Sequence, residues 1–175
     1  MGTQLPTAYD HLRSMLEHHI WASLALIDRC EKLTPDQLLL TSPGTYGAIG
    51  ATLDHLVRAD RRYQARILGE PRMRPAMAPD LAVLHSEMES QATRWREFLS
   101  NVDELDAVVA AEVGGEPYPE IKHAVGLLLT QAVHHGNDHR THVCTILGAH
   151  HIAYPDMDVW SFGEATGKLV ELGKA

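Results

Sequence analysis

Cysteine is scarce in this chain: Cys30 and Cys144 are the only two, far apart and in no C-x-x-C pair. A disulfide framework is therefore excluded, and a reduced, cytoplasmic setting with both thiols as small core residues is expected. Basic residues are outnumbered, fifteen Lys and Arg against twenty-three Asp and Glu, for a net charge of -8. A nucleic-acid partner needs a basic patch to neutralise phosphates, so that class is set aside. No apolar run approaches the length of a membrane span. The opening residues MGTQLPTAYDHLRSM lack the basic n-region and apolar h-region of a signal peptide. A soluble protein with neither membrane nor nucleic-acid partner is expected. The apolar share is an ordinary 45%, which argues against disorder, and 175 residues suffice for one domain over 1–175 with a real core.

Histidine, by contrast, is abundant, with twelve. Number alone makes no site, but Gln131 to Val143 reads Q-A-V-H-H-G-N-D-H-R-T-H-V. In a helix His135, His139 and His142 fall at i, i+4 and i+7, on one face with Leu128, Ala132, Val143 and Ile146. Imidazoles thus stand where a bundle helix normally places its core. An i, i+4 pair of neutral imidazoles can grip one transition-metal ion from a single rigid helix. A paired His is weak evidence alone, but a buried unpaired imidazole is costly, and another helix offers His55. Gly136 follows His135, so the H-E-x-x-H arrangement with its glutamate base is absent.

In chain order, residues 7–32 read as a first helix with Leu12, Met15, Leu16, His19, Ser23, Leu26, Ile27 and Cys30 in one stripe. Trp21 and Leu24 lie off that stripe and suit either a flanking helix or a subunit interface. Thr34-Pro35-Asp36-Gln37 resembles a capping box with Pro at the first helical position. A second helix spans about 48–68, with Ile49, Leu53, Leu56, Tyr63 and Ile67 inward and Asp60 among them. A carboxylate there requires a partner, an arginine or a ligand-bearing histidine. His55 lies on its flank beside Ala48, Thr52 and Ala59. Three prolines within 69–79 mark an extended crossover, and a third helix follows over 80–101. Its inward residues are Leu81, Leu84, Met88, Ala92, Trp95, Leu99 and, just beyond, Val102. Val108 to Val113 reads as a small extended segment and not a sheet. The fourth long helix runs from about 119 to Leu147 with Gly148 placed to end it. Asp156 or Asp158 caps a last helix reaching Leu172. The fold class expected is all-α: a four-helix bundle with a long crossover connection plus a short C-terminal helix.

Four segments, taken together in their order and spacing, carry a family resemblance. They are H-H-I-W-A-S at 18–23, T-Y-G-A-I-G-A-T-L-D-H-L-V-R-A-D at 45–60, H-G-N-D-H-R-T-H-V at 135–143 and P-D-M-D-V-W-S-F-G-E-A-T-G at 155–167. The chain resembles the DinB/YfiT-like family of small helical-bundle metalloproteins over nearly its whole length. That resemblance implies metal ligation by His55, His135 and His139, with positions left for water or substrate. Asp60 matches the family's acidic residue and Arg140 its arginine. His142 stands where the family often has Gln. It suits a pocket wall, a proton-transfer group, an extra ligand or a hydrogen-bonded core residue. His19 suits either the pocket or the core.

Three neutral histidines would leave an ion its full charge and an open position, as in catalytic sites. By resemblance, such a site activates a low-molecular-weight thiol against a small-molecule electrophile, with metal-assisted hydrolysis as the competing chemistry. The donor set admits zinc or nickel, and also iron or copper. A non-catalytic metal-binding or stress-response bundle is the alternative, and a bundle with metal-free core histidines a third. Family members are often dimers, and a homodimer through Trp21 and Leu24 is expected on that ground.

Overall fold

Apolar residues at helical spacing become four long helices in the structure, a computed structural model describing residues 8–70, 80–101, 107–111 and 121–169. The elements in order are α1 (Ala8–Cys30), α2 (Pro35–Leu38), α3 (Ile49–Ile67), α4 (Leu81–Asn101), β1 (Val108–Ala111), β2 (Ile121–Ala124), α5 (Val125–Ala149) and α6 (Val159–Ala165). The fold is a four-helix bundle with a short helix at its C-terminal side. In α1, Leu16, His19, Ser23, Leu26, Ile27 and Cys30 are buried as expected, while Met15 is 46% exposed. Met15 precedes Leu16 at the edge of the stripe, and only Leu16 turns inward. Every described inward residue of α4 is buried, with Val102 lying outside the described residues. Thr34 and Gln37 exchange the two bonds of a capping box, the Thr34 hydroxyl accepting from the Gln37 amide at 3.2 Å.

Packing between helices sets the topology. Both α1 and α3 pack against α4 and α5, so α1 and α3 lie across one diagonal and α4 and α5 across the other. The crossing connections are accordingly residues 31–48, which include α2, and the long stretch 102–124. The proline-rich segment expected to cross instead joins the neighbours α3 and α4, and its residues 71–79 lie outside those described. The bundle order is non-simple for a different reason from the one the prolines suggested.

Three boundaries differ from expectation. The extended segment after α4 is half of a small sheet: β1 and β2 pair antiparallel, Val108 opposite Ala124 and Ala111 opposite Ile121. A single extended stretch cannot satisfy its own backbone, and the partner strand occupies residues assigned by periodicity to the fourth helix. Helix α5 therefore starts at Val125, whose N–H donates to the Ala107 carbonyl at 2.9 Å. Nor does Gly148 end it. The helix runs through Ala149, and His151 takes the left-handed conformation (φ 56) while Ile152 N–H bonds the Leu147 carbonyl at 2.9 Å. Helix α6 stops well before Leu172. Asp158 caps its start, and Gly167 (φ 68) closes its end, with Lys168 N–H on the Gly163 carbonyl at 2.8 Å. Both ends have the paired bonds of a Schellman motif, which a left-handed residue permits.

Candidate metal centre

Helix α3 and helix α5 pack directly, and their contact carries His55 from one side and His135 and His139 from the other. The Nε2 atoms of His55 and His135 lie 3.0 Å apart, and those of His135 and His139 lie 3.1 Å apart. One ligand atom from each ring lies within 4.8 Å of the other two, so the group can hold a metal ion. His139 is buried, and His55 and His135 are half-buried.

Protonation follows from this crowding. Burial, then the neighbouring rings, lowers His135 to a pKa of about 4. Burial, then His55 and His142, does the same for His139, also to about 4. Burial and the Arg62 charge lower His55 as well. Three neutral imidazoles at neutral pH are what a cation requires. The geometry fits one. Each Nε2 has one in-plane lone pair or one proton, so His135, facing two neighbours, cannot bond both well. A divalent ion held there would take all three lone pairs together. Tetrahedral ligands at metal–nitrogen bonds of ~2.0–2.1 Å sit about 3.3 Å apart, close to the spacing present.

Tyr46, from the turn before α3, completes the surroundings. Its hydroxyl lies 2.9 Å from His55 Nδ1, and its ring stacks on His55 at 4.4 Å and meets His139 edge-on at 4.7 Å. With Nε2 turned to the common point, Nδ1 carries the proton and donates to the phenol oxygen, fixing the tautomer. Tyr63 stands edge-on to His135 at 5.7 Å. His142 lies beside the cluster, its ring 5.6 Å from His139, and is not among the three converging residues. The Nδ1 atoms of His139 and His142 are both buried without a hydrogen-bond partner.

The remaining expected site residues form a second, separate cluster. His19, Asp60 and Arg140 are all buried. Asp60 is hydrogen-bonded to His19 and Trp95: Oδ1 lies 3.2 Å from His19 Nε2, and Oδ2 accepts from Trp95 Nε1 at 3.0 Å. Arg140 Nη1 lies 3.0 Å from His19 Nδ1 and donates to Ser23 Oγ at 3.0 Å. Arginine can only donate, so His19 Nδ1 accepts and its Nε2–H faces the carboxylate. One chain of polar contacts thereby ties α1, α3, α4 and α5. Asp60 reaches the histidine group through its charge, which acts to raise the pKa of His135 against the larger effect of burial.

Two contributors were not read from the sequence. Tyr46 lay in a turn-like stretch with no periodicity to assign it a direction. Gly136 had a signal, a glycine inside a helix beside two histidines, which commonly marks a close approach. A β-carbon there would meet the His19 ring.

A bundle whose two facing helices converge three imidazoles defines a class of candidate metalloproteins. The model of the DinB superfamily matches residues 15–143. The chain belongs to the DinB superfamily. No curated protein matches it.

Proposed function

We propose that His55, His135 and His139 hold one divalent metal ion and that the protein is a metal-dependent enzyme acting on a small molecule. The observation supporting this reading is the convergence of three neutral imidazole nitrogens from two helices on one point. When bound, such an ion lowers the pKa of a thiol or water and polarises an electrophile. The three rings supply lone pairs and no negative charge, which preserves the ion's electrophilicity. Tyr46 orients His55, and Tyr46 and Tyr63 supply aromatic walls. Activation of a low-molecular-weight thiol is the preferred chemistry, with hydrolysis second. Zinc or nickel is the preferred ion, with iron or copper also matching nitrogen donors.

One observation favours the alternative, a non-catalytic metal-binding or stress-response bundle. Among the described residues, no carboxylate is hydrogen-bonded to the three rings. Elemental analysis of the purified protein, followed by chelator and zinc or nickel titration, tests metal binding. Near-stoichiometric metal is expected, and its absence would remove both readings. A thiol-conjugation assay with generic electrophiles then separates enzyme from binder. A cytoplasmic homodimer is part of the proposal. Trp21 and Leu24 border a groove of about 680 Å³ between α1, α4 and α6, and light scattering of the purified chain measures the assembly. No helix among the described residues is long and apolar enough to cross a membrane.

A further inference from the structure

Arg140 is 4% exposed, yet among the described residues only one of its nitrogens is hydrogen-bonded. Nη1 makes all three of its contacts: His19 Nδ1 at 3.0 Å, Ser23 Oγ at 3.0 Å and the His19 carbonyl at 3.3 Å. Nε and Nη2 meet no protein acceptor among the described residues, and neither is a sealed, unsatisfied atom. They therefore open onto accessible space. Those two N–H groups form the edge of a guanidinium that forks onto two oxygens of one carboxylate or phosphate. Burial lowers the Arg140 pKa to about 10, which leaves it charged at neutral pH.

The space beside it is a cleft of about 550 Å³ between α5 and the segment leading to α6. Arg140 lines it together with Asn137, Thr141, Cys144, Thr145, Tyr154 and Asp156. On the helical wheel these α5 residues face away from the stripe of His135, His139 and His142. The cleft is thus distinct from the candidate metal centre. Its amide and hydroxyl groups suit a polar ligand. Asp156 on the wall repels a second negative charge, which selects against dianions. Cys144 is not a nucleophile here, since burial raises its thiol to about 11.

We propose that this cleft binds a small monocarboxylate, its two oxygens taken by the Nε and Nη2 edge of Arg140, with the wall hydroxyls and amide completing the site. Binding requires no metal, so the proposal stands or falls apart from the function proposed above.

The test is thermal shift and calorimetric titration of chelator-treated protein with acetate and propionate, against chloride at matched ionic strength and against inorganic phosphate. Saturable stabilisation by the monocarboxylates is expected, a rise of about 4 °C at ligand roughly tenfold above Kd. Phosphate should give less. Arg140→Lys keeps the charge and loses the fork, so it should weaken binding at least tenfold. Because Arg140 also supports the core, Thr141→Phe serves as the second variant. Thr141 is an exposed helix position lining the cleft, and the larger ring should fill it and abolish binding while the unliganded Tm holds. No saturable shift in the wild type, stronger binding of phosphate than of acetate, or undiminished binding by Thr141→Phe would each overturn the proposal.

Discussion

A β-carbon placed on Gly136 would lie 2.2 Å from Cε1 of His19 and 2.3 Å from its Nδ1. The missing side chain on α5 is thus the space in which the α1 imidazole reaches both Asp60 and Arg140. Gly136→Ala gains helix propensity of about 1 kcal/mol but overpacks a buried site at ~1–3 kcal/mol. A fall in Tm of up to roughly 8 °C is expected. In a His19→Ala background the same change should cost little, because the clash is gone. A rise in Tm for the single variant would show that α1 and α5 are further apart than described.

Asp60 accepts from two buried donors on two other helices, His19 Nε2–H and Trp95 Nε1–H. Asp60→Ala strands both and removes a negative charge that acts on Arg140. Urea unfolding should show a loss of about 3–5 kcal/mol. Asp60→Asn, which keeps one acceptor, should fall between the two. A loss below ~1 kcal/mol in Asp60→Ala would mean the network contributes little.

Among the histidines, removal of either partner from α5 should act on metal and not on folding. His139→Ala is expected to lose stoichiometric zinc or nickel in elemental analysis while its helical circular dichroism is retained. His142→Ala, outside the converging three, should keep the metal. Equal retention in both variants would place the ion elsewhere.

Tyr46→Phe retains the ring stacked on His55 and removes the hydroxyl 2.9 Å from Nδ1. Partners of this kind typically govern ~10–100-fold in metal affinity. Chelator competition should find a loss in that range, with the metal-free Tm unchanged because Tyr46 is 52% exposed. Unaltered affinity would assign the tyrosine to packing alone.

Acid should destabilise the metal-free protein. Native His135 and His139 take up protons only near pH 4, whereas in the unfolded chain they titrate near the ordinary 6.5. Between those values the unfolded state binds more protons, so stability falls as pH drops from about 6.5 toward 4 and levels off below. Urea unfolding at intervals across that window measures it, and His135→Gln should flatten the slope. A stability constant across the window would contradict the burial of these rings.

How much was legible beforehand follows from the kind of signal each feature leaves. The stripes of α1, α3 and α4, the Thr34 capping box and the Asp158 cap are local patterns, and among the described residues they hold, with Met15 exposed and Leu12, Tyr63 and Ile67 half-buried. The ends of α5 and α6 differ from the sequence expectation because His151 and Gly167, and not Gly148 or a residue beyond Leu172, take the positive φ that closes each helix. The β1–β2 pairing was missed because strand 121–124 and its partner are separated in sequence, and neither alone shows the sheet.

By itself, the sequence determined a helical bundle and three imidazoles on one helical face, since a 3.6-residue repeat fixes which side chains share a side. It also held His55, though on periodicity that residue was only a flank position. What the tertiary structure decided was distance: that α3 meets α5 and brings His55 to His135, and that Asp60 finds His19 and Trp95. Which helices become neighbours depends on how their whole apolar surfaces pack and how the connections cross. Such a relation belongs to pairs of distant segments, and no local spacing carries it.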